Sequence, residues 1–308
     1  MIGGAQRINT KVMIMIRNDY LNANGLRFHF AEAGERGKPL MLFLHGFPEF
    51  WYEWKDFLPA FARDYHCVAP DQRGYNLSDK PTDVAAYRTN LLIDDAAAIA
   101  AVLSPDKKFT LVAHDWGAAV AWGLAIKKPE LLDKLIILNG VHPAAFQREL
   151  KRNPAQLEAS QYIHAMQQGG VAEAYSEDNF SGFWNCLAPS NGLGGLPEED
   201  KPQYLEAYGQ PGAAQGMINW YRAMKIKAPK QVKDKATDET TFDPSALVVK
   251  VPTLLLWGLQ DEALLPGCIE GLDEFVSDLT LETRDDCGHW IVHEQPQWCI
   301  ERIQDWLA

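Results

Sequence analysis

Asp115 stands where a serine hydrolase would carry its serine. Phe109-Thr110-Leu111-Val112-Ala113-His114-Asp115-Trp116-Gly117-Ala118-Ala119 runs from an apolar stretch through small-x-Asp-x-Gly into a small-residue helix start. That is the strand–turn–helix setting of a nucleophile elbow. The turn is tight, so the positions two before and two after the nucleophile must be small, as Ala113 and Gly117 are. A carboxylate attacking alkyl carbon forms an ester that water can cleave. A serine attacking the same carbon would leave a dead-end ether. The residue type therefore points to carbon–oxygen or carbon–halogen displacement rather than to ester substrates.

Two further residues complete a nucleophile–acid–base set. Asp261 follows the apolar run Leu254-Leu-Leu-Trp-Gly258, and His289 follows Leu279 to Thr283. Taken singly, an aspartate after a strand is usually a cap or turn former. The joint order and context carry the assignment, with Glu262, Asp285 and Asp286 as nearby rivals to Asp261. His45-Gly46-Phe47-Pro48 follows a third apolar run. There the backbone N–H of Phe47, with that of Trp116, is placed to form an oxyanion hole; the plainer reading is a strand-ending loop.

These residues need strands that end together. Leu40–Leu44, Thr110–Ala113, Leu135–Leu138 and Thr253–Trp257 are unbroken apolar runs, as in a parallel sheet buried on both faces. Leu26–Ala33 alternates and predicts a half-exposed strand after an Asn24-Gly25 turn. Helical stretches at Leu91–Leu103, Trp116–Lys127 and Trp298–Trp306 alternate with the strands. The class is α/β, with a mostly parallel, doubly wound sheet whose ligands sit at the carboxyl ends of the strands. After Gly140 the alternation stops, and the β pattern resumes at Val248–Trp257. Residues 141–245 are read as an inserted helical cap, and 1–140 with 246–308 as the core. The basic run Lys225–Lys235 is read as a solvated surface.

The chain has 308 residues, 47% of them hydrophobic, enough for one large core with an insertion. Lysine and arginine number 29 against 41 acidic residues, a net charge of −12. Nucleic acid and anionic membrane surfaces are poor partners for that balance, and an anionic substrate is mildly disfavoured unless local charge overrides it. Five cysteines without C-x-x-C pairing suggest reduced thiols in a cytoplasmic protein. Met1 to Asp19 has no apolar leader core, and no stretch approaches the ~18 apolar residues of a membrane span.

His45-Gly-Phe-Pro-Glu-Phe-Trp-Tyr-Glu-Trp54, Asp71-Gln-Arg-Gly-Tyr75 with Ser78-Asp-Lys-Pro81, and His114-Asp-Trp-Gly-Ala118 resemble the epoxide hydrolases of the α/β-hydrolase fold. So do Gly170-Val-Ala-Glu-Ala174 and Ile218-Asn-Trp-Tyr-Arg-Ala-Met224. The resemblance runs from about Tyr20 to the end of the chain. It implies two lid tyrosines, Tyr221 in Asn-Trp-Tyr-Arg and Tyr162, with Tyr175 a rival for the second, and a cis peptide before Pro48. For a tyrosine in an insertion, packing is the default role. Yet a phenol titrating near ~10 is protonated at neutral pH, and two of them can donate to an epoxide oxygen as it gains charge. The implied cycle has Asp115 open the ring and form a hydroxyalkyl ester. His289, kept basic by Asp261, then activates a water that attacks the Asp115 carbonyl, releasing a vicinal diol. Epoxide and water are the only reactants, with no cofactor and no metal, acting in a monomer or homodimer.

Trp51, Trp54, Trp116, Phe183, Trp184, Trp220 and Trp290 lie near the motifs and are candidates to line an apolar pocket for lipophilic epoxides. His289 and His293 have a spacing that two metal ligands on a helix share, but the zinc motif H-E-x-x-H is absent. Ala188-Pro-Ser190-Asn-Gly192 mimics a serine elbow with no strand before it. Two alternatives remain. A haloalkane dehalogenase uses the same nucleophile but usually places a halide donor after His-Gly, where this chain has Phe47. A hydrolase-fold ligand-binding receptor would bind epoxides without turnover.

Overall fold

The apolar runs pair with one another and are covered on both faces. The computed structural model describes residues 14–188, 196–224 and 243–308. The strands are β1 (Arg17–Ala23), β2 (Leu26–Ala33), β3 (Leu40–Leu44), β4 (His66–Pro70), β5 (Phe109–His114), β6 (Leu132–Leu138), β7 (Thr253–Gly258) and β8 (Leu279–Arg284). They form one sheet in the order β1-β2-β4-β3-β5-β6-β7-β8. β1 and β2 make a hairpin, and β2 runs antiparallel to β4; every later pairing is parallel. Asn24 and Gly25 both have positive φ, 47° and 77°, as a type I′ hairpin turn requires.

The helices are α1 (Phe57–Phe61), α2 (Thr89–Leu103), α3 (Asp115–Lys127), α4 (Pro143–Arg152), α5 (Pro154–Ala159), α6 (Tyr162–Met166), α7 (Val171–Cys186), α8 (Lys201–Tyr208), α9 (Ala213–Ala223), α10 (Ile291–Glu294) and α11 (Pro296–Leu307). Successive strand residues feed two separate cores, because side chains alternate across a strand. Leu40, Leu42 and Leu44 of β3 join the core under α2 and α3. Met41 and Phe43 join the core under α1 and α11. Among the described residues no helix is long and apolar enough to cross a membrane.

Three elements differ from the sequence expectation. β2 is buried from Phe28 to Ala33 rather than half-exposed, because it lies between β1 and β4 with cover on both faces. β4 has no purely apolar signature; its His66 is buried and meets Glu32 at 2.8 Å. The strand expected from Val248 begins at Thr253, after Pro252, and Val249 makes only an isolated bridge to Val276. The basic run Lys225–Lys235 and the Ser190 segment lie outside the described residues, as does the start of the chain to Met13.

Helices α4 to α9 enter between β6 and β7 and pack against the loops at the strands' carboxyl ends. The Trp220 indole donates to the Arg73 carbonyl at 2.9 Å, the Tyr204 hydroxyl to Glu49 at 2.6 Å and the Tyr52 hydroxyl to Asp200 at 3.0 Å. Lys55 also pairs with Asp200. α7 breaks at Glu177–Phe180, where three consecutive residues take left-handed φ. The closest approach is backbone to backbone: a Cβ on Gly216 of α9 would lie 2.3 Å from the Gly74 carbonyl oxygen. Only a residue without a side chain fits there.

Gly216→Val should therefore push α9 off the Arg73–Tyr75 loop. We expect a loss of about 1–3 kcal/mol, read as a fall in thermal midpoint of several degrees. An unchanged midpoint would show that the contact is slack.

Candidate active site

The parallel strands deliver five loops to one edge of the sheet. Asp115 heads α3 immediately after β5 with φ of +45°, a left-handed conformation that is strained for a residue with a side chain. Two glycines make the turn possible. A Cβ on Gly117 would lie 2.2 Å from the Leu44 carbonyl oxygen, and one on Gly46 would lie 2.6 Å from the Asp115 Cβ. The loop after β3 carries Phe47, whose N–H donates to Asp115 Oδ1 at 2.7 Å. The Phe47–Pro48 peptide is cis. The Trp116 amide lies in the first turn of α3, where backbone N–H groups lack an intrahelical acceptor.

His289 lies between two carboxylates. Its Nδ1 donates to Asp261 Oδ2 at 2.8 Å, and Nε2 lies 3.6 Å from Asp115 Oδ2, an ion-pair contact rather than a full hydrogen bond. Asp261 is fixed on every side: Oδ1 accepts from the Ala263 and Leu264 amides at 2.9 and 2.7 Å, and Oδ2 also accepts from Asn139 at 2.8 Å. Asp261, rather than Glu262, Asp285 or Asp286, is the carboxylate that Nδ1 meets. Burial disfavours the imidazolium, but the charges and hydrogen bonds of Asp261 and Asp115 outweigh it, holding His289 well above the usual histidine value. Burial likewise raises the Asp115 carboxyl, but His289, His114 and the Phe47 N–H prevail and hold it below the usual aspartate value.

Tyr221, on α9, packs edge-on to Phe47 and Trp116 at 4.9 and 5.1 Å between ring centroids. Tyr162, at the start of α6, lies 6.1 Å from the Tyr221 ring. Burial, then the Asp115 charge and other neighbours, raise the Tyr162 phenol; burial, then Tyr162 and Asp115, raise Tyr221. Both are therefore protonated donors at neutral pH. Tyr175 stands apart, against Phe183.

Two cavities meet at Asp115, Tyr162 and Tyr221. The first, about 280 Å³, runs beside α3. The second, about 300 Å³, passes His289, Trp290, Tyr175 and Cys186. Of the expected lining aromatics, Trp116 borders the first cavity and Trp290 the second. Trp51, Phe183, Trp184 and Trp220 border neither. Their rings fill the joint between insertion and sheet: Phe183 packs on Phe47 and Tyr208, Trp184 on Tyr204, Trp51 on Phe50, and Trp220 on Tyr75. Aliphatic and small side chains line the first cavity instead. Trp54 is fully buried in the opposite core.

The sequence reading missed two buried residues. Asn139, at the end of β6, donates to Asp261 and accepts from the Gly258 amide at 2.7 Å. The sequence shows only an Asn139-Gly140 pair after an apolar run; the left-handed φ of 34° appears in the structure. Glu53 accepts from the Gly46 amide at 3.0 Å and meets His114 Nδ1 at 2.5 Å, while His114 Nε2 meets the His289 carbonyl at 2.8 Å. A carbonyl only accepts, so Nε2 carries the proton. With burial lowering the His114 value to about 4, its Nδ1 is bare. Glu53 must then donate, which agrees with burial and the Glu49 charge raising its carboxyl well above the ordinary value. One neutral chain thus joins the Gly46, Asp115 and His289 loops.

Glu49, Glu53 and His293 bring possible metal-ligand atoms within 4.8 Å of one another. Those atoms are already engaged. Glu49 is held by His293 at 2.7 Å and by Tyr204, and Glu53 by Gly46 and His114. His289 and His293 thus serve separate carboxylates.

A family profile described as alpha/beta hydrolase fold matches residues 39–162. The AB hydrolase superfamily protein YfhM of Bacillus subtilis is 36% identical over 297 residues, covering 95% of this chain and 98% of that protein. Epoxide hydrolase 4 of Mus musculus is 37% identical over 280 residues, covering 89% and 74%. A crystal structure of a mutant epoxide hydrolase from Bacillus megaterium, complexed with its product (R)-3-[1]naphthyloxy-propane-1,2-diol, superposes with a TM-score of 0.84 at 33% identity, covering 94% of this chain and 99% of that one.

The protonation of Glu53 gives a sharp contrast. Glu53→Gln keeps one donor and one acceptor in place and should fold and turn over with near-native rates. Glu53→Ala leaves the His114 nitrogen and Gly46 amide unpaired and should cost about 1–3 kcal/mol or more in chemical denaturation. A glutamine variant as damaged as the alanine variant would mean that Glu53 is charged.

Proposed function

The chain belongs to the epoxide hydrolases of the α/β-hydrolase superfamily, and we propose that it converts lipophilic epoxides to vicinal diols through an ester on Asp115. The observation that carries this reading is that Asp115, in ion-pair contact with His289, borders both cavities together with Tyr162 and Tyr221. Residues 141–245 act as the helical cap, carrying Tyr162 and Tyr221 over the core formed by 1–140 and 246–308.

In the first step Tyr162 and Tyr221 hold the epoxide oxygen. Asp115 Oδ1 is tied to the Phe47 amide, so Oδ2 attacks the ring carbon. The carbon–oxygen bond breaks as the phenols supply a proton to the leaving oxygen. Alkylation removes the charge of Asp115 and with it one of the two carboxylates that raise His289. The imidazole value then falls, the proton that His289 gives up restores the phenol that protonated the leaving oxygen, and the neutral ring becomes a base for water while Asp261 keeps its orientation. Hydroxide attacks the Asp115 carbonyl carbon, and the amides of Phe47 and Trp116 take the oxyanion. The diol leaves with the attacking oxygen of Asp115, and water replenishes the carboxylate. The same reading places the enzyme in the cytoplasm, supported by five free cysteines, four of them buried.

Asp115→Ala should abolish turnover. His289→Gln should still be alkylated but stall, leaving an adduct visible by intact mass. In one turnover in heavy-oxygen water the first diol should carry enzyme-derived light oxygen; solvent oxygen in that diol would sink the ester mechanism. Tyr221→Phe should slow ring opening by about 10²-fold or more, and adding Tyr162→Phe should nearly stop it. Halide release from chloroalkanes without diol formation from epoxides would favour a dehalogenase.

The pH dependence has a definite sign. Asp115, with its lowered value, stays ionised as pH falls through the ordinary carboxylate range, so alkylation persists. Hydrolysis needs neutral His289 and is lost on the acid side. Near pH 5 the ester intermediate should therefore accumulate, seen as a burst of epoxide consumption matched by bound adduct while steady diol release slows. Parallel loss of adduct and diol would contradict the assignment.

A further inference from the structure

Gln156, on α5, is a fully buried polar side chain. Asn153 caps this short helix, its Oδ1 accepting from the Ala155 and Gln156 amides at 3.1 and 3.4 Å. The Gln156 amide group then uses both of its donors and both of its acceptor positions. Nε2 donates to the Ser160 hydroxyl at 3.0 Å and to the Ala263 carbonyl at 2.8 Å. Oε1 accepts from the Leu265 amide at 2.8 Å and from the Cys268 thiol at 3.3 Å. Burial raises Cys268, so its sulfur keeps the proton that it donates. A carbonyl only accepts and a backbone amide only donates, so Ala263 and Leu265 fix which way the side chain faces. Both lie on the loop that holds the acid. They flank Leu264, and the Ala263 and Leu264 amides are the two that Asp261 Oδ1 accepts. The insertion thus grips the Asp261 loop through one side chain 107 residues away along the chain. Gln156 itself borders neither cavity.

We propose that Gln156 is a positioning residue for the hydrolytic half of the reaction: it holds the Ala263–Leu265 segment so that Asp261 keeps Oδ2 on His289. This rests on the epoxide-hydrolase reading above and adds the part of the insertion on which its second step depends. With Oδ1 occupied by two backbone amides, the carboxylate presents Oδ2 to His289 Nδ1 at 2.8 Å. A segment free to shift would let the carboxylate turn, and the imidazole would lose the partner that aims it at water. Misplacement of a reacting group by about 1 Å costs up to ~10²-fold in rate. Ring opening is better protected, because its parts have other ties. Asp115 is held by the Phe47 amide, and α6, which starts at Tyr162, is followed by Gln167, whose side chain donates to the Tyr221 carbonyl at 3.1 Å. Loss of Gln156 should therefore fall on ester hydrolysis rather than on ester formation.

The experiment uses Gln156→Met in the full chain, which keeps the length of the side chain and removes its polar bonds. In single turnovers of a neutral aryl glycidyl ether, adduct formation on Asp115 should change little, while adduct decay slows by about 10- to 100-fold. The acid limb of decay should move to lower pH, because Asp261 raises His289 and a looser Asp261 raises it less. The far-downfield proton resonance of His289 Nδ1, recorded without substrate, should broaden or move upfield. Should Gln156→Met fail to fold, Gln156→Glu fills the same volume and keeps an acceptor for Leu265 but loses the donor to Ala263; it should move the same readouts in the same directions. Equal slowing of both steps, with the pH limb and the resonance unmoved, would make Gln156 a packing residue only, overturning the proposal and leaving the epoxide reading standing. A native enzyme that forms neither adduct nor diol would sink the epoxide reading itself. The resonance would then decide alone whether Gln156 places Asp261, and an unmoved one would overturn that as well.

Discussion

An ionised carboxylate held largely out of water is the costly group in this molecule, and much of the surrounding architecture serves to keep it charged. Asp115 has 15% of its side-chain surface accessible. Against that burial stand the Phe47 amide, the His289 cation and the amino end of α3, whose first-turn amides and dipole favour negative charge. Each of these lies on a different loop. The Asp115 carboxylate therefore keeps these partners only when three strand ends are held together at one edge, which a parallel sheet with two packed faces provides.

The same edge holds carboxyl groups with opposite kinds of hydrogen-bond partner. Asp261 faces only donors: the imidazole, two backbone amides and the Asn139 amide group. Glu53 faces a bare imidazole nitrogen on one side and has Glu49 nearby, so it carries its proton and bonds as a neutral group. Two carboxyl groups with similar intrinsic affinity are thereby assigned different work. Asp261 orients the His289 ring. Glu53 fastens the Gly46 loop to His114 without adding a second buried charge beside Asp115.

The insertion adds what the sheet cannot supply. Its tyrosines reach the point where the two cavities meet, while its larger rings anchor it to the loops beneath. That division explains why four of the expected lining aromatics are absent from the cavity walls. A flat ring that fills an interface gains its full burial, whereas one lining a cavity stays partly uncovered. Space for a substrate comes instead from the small residues of α3.

Short-range pattern was enough to mark the Asp115 turn, the buried strands and the place where the strand–helix alternation stops. Unbroken apolar runs and a small-x-Asp-x-Gly turn follow from local sterics and from burial on both faces. Polar strands were less legible. β1 lies on the sheet edge with most of its residues exposed, and β4 buries a histidine against Glu32, so neither shows an apolar run. Asn139 and Glu53 were silent because their work depends on partners 122 and 61 residues away. The partners of Glu53, the placing of Tyr162 rather than Tyr175 beside Tyr221, and the separation of cavity from anchor aromatics follow from tertiary structure alone. Each depends on which groups meet across distant loops, and periodicity along a chain records which face a residue turns but not what it will find there.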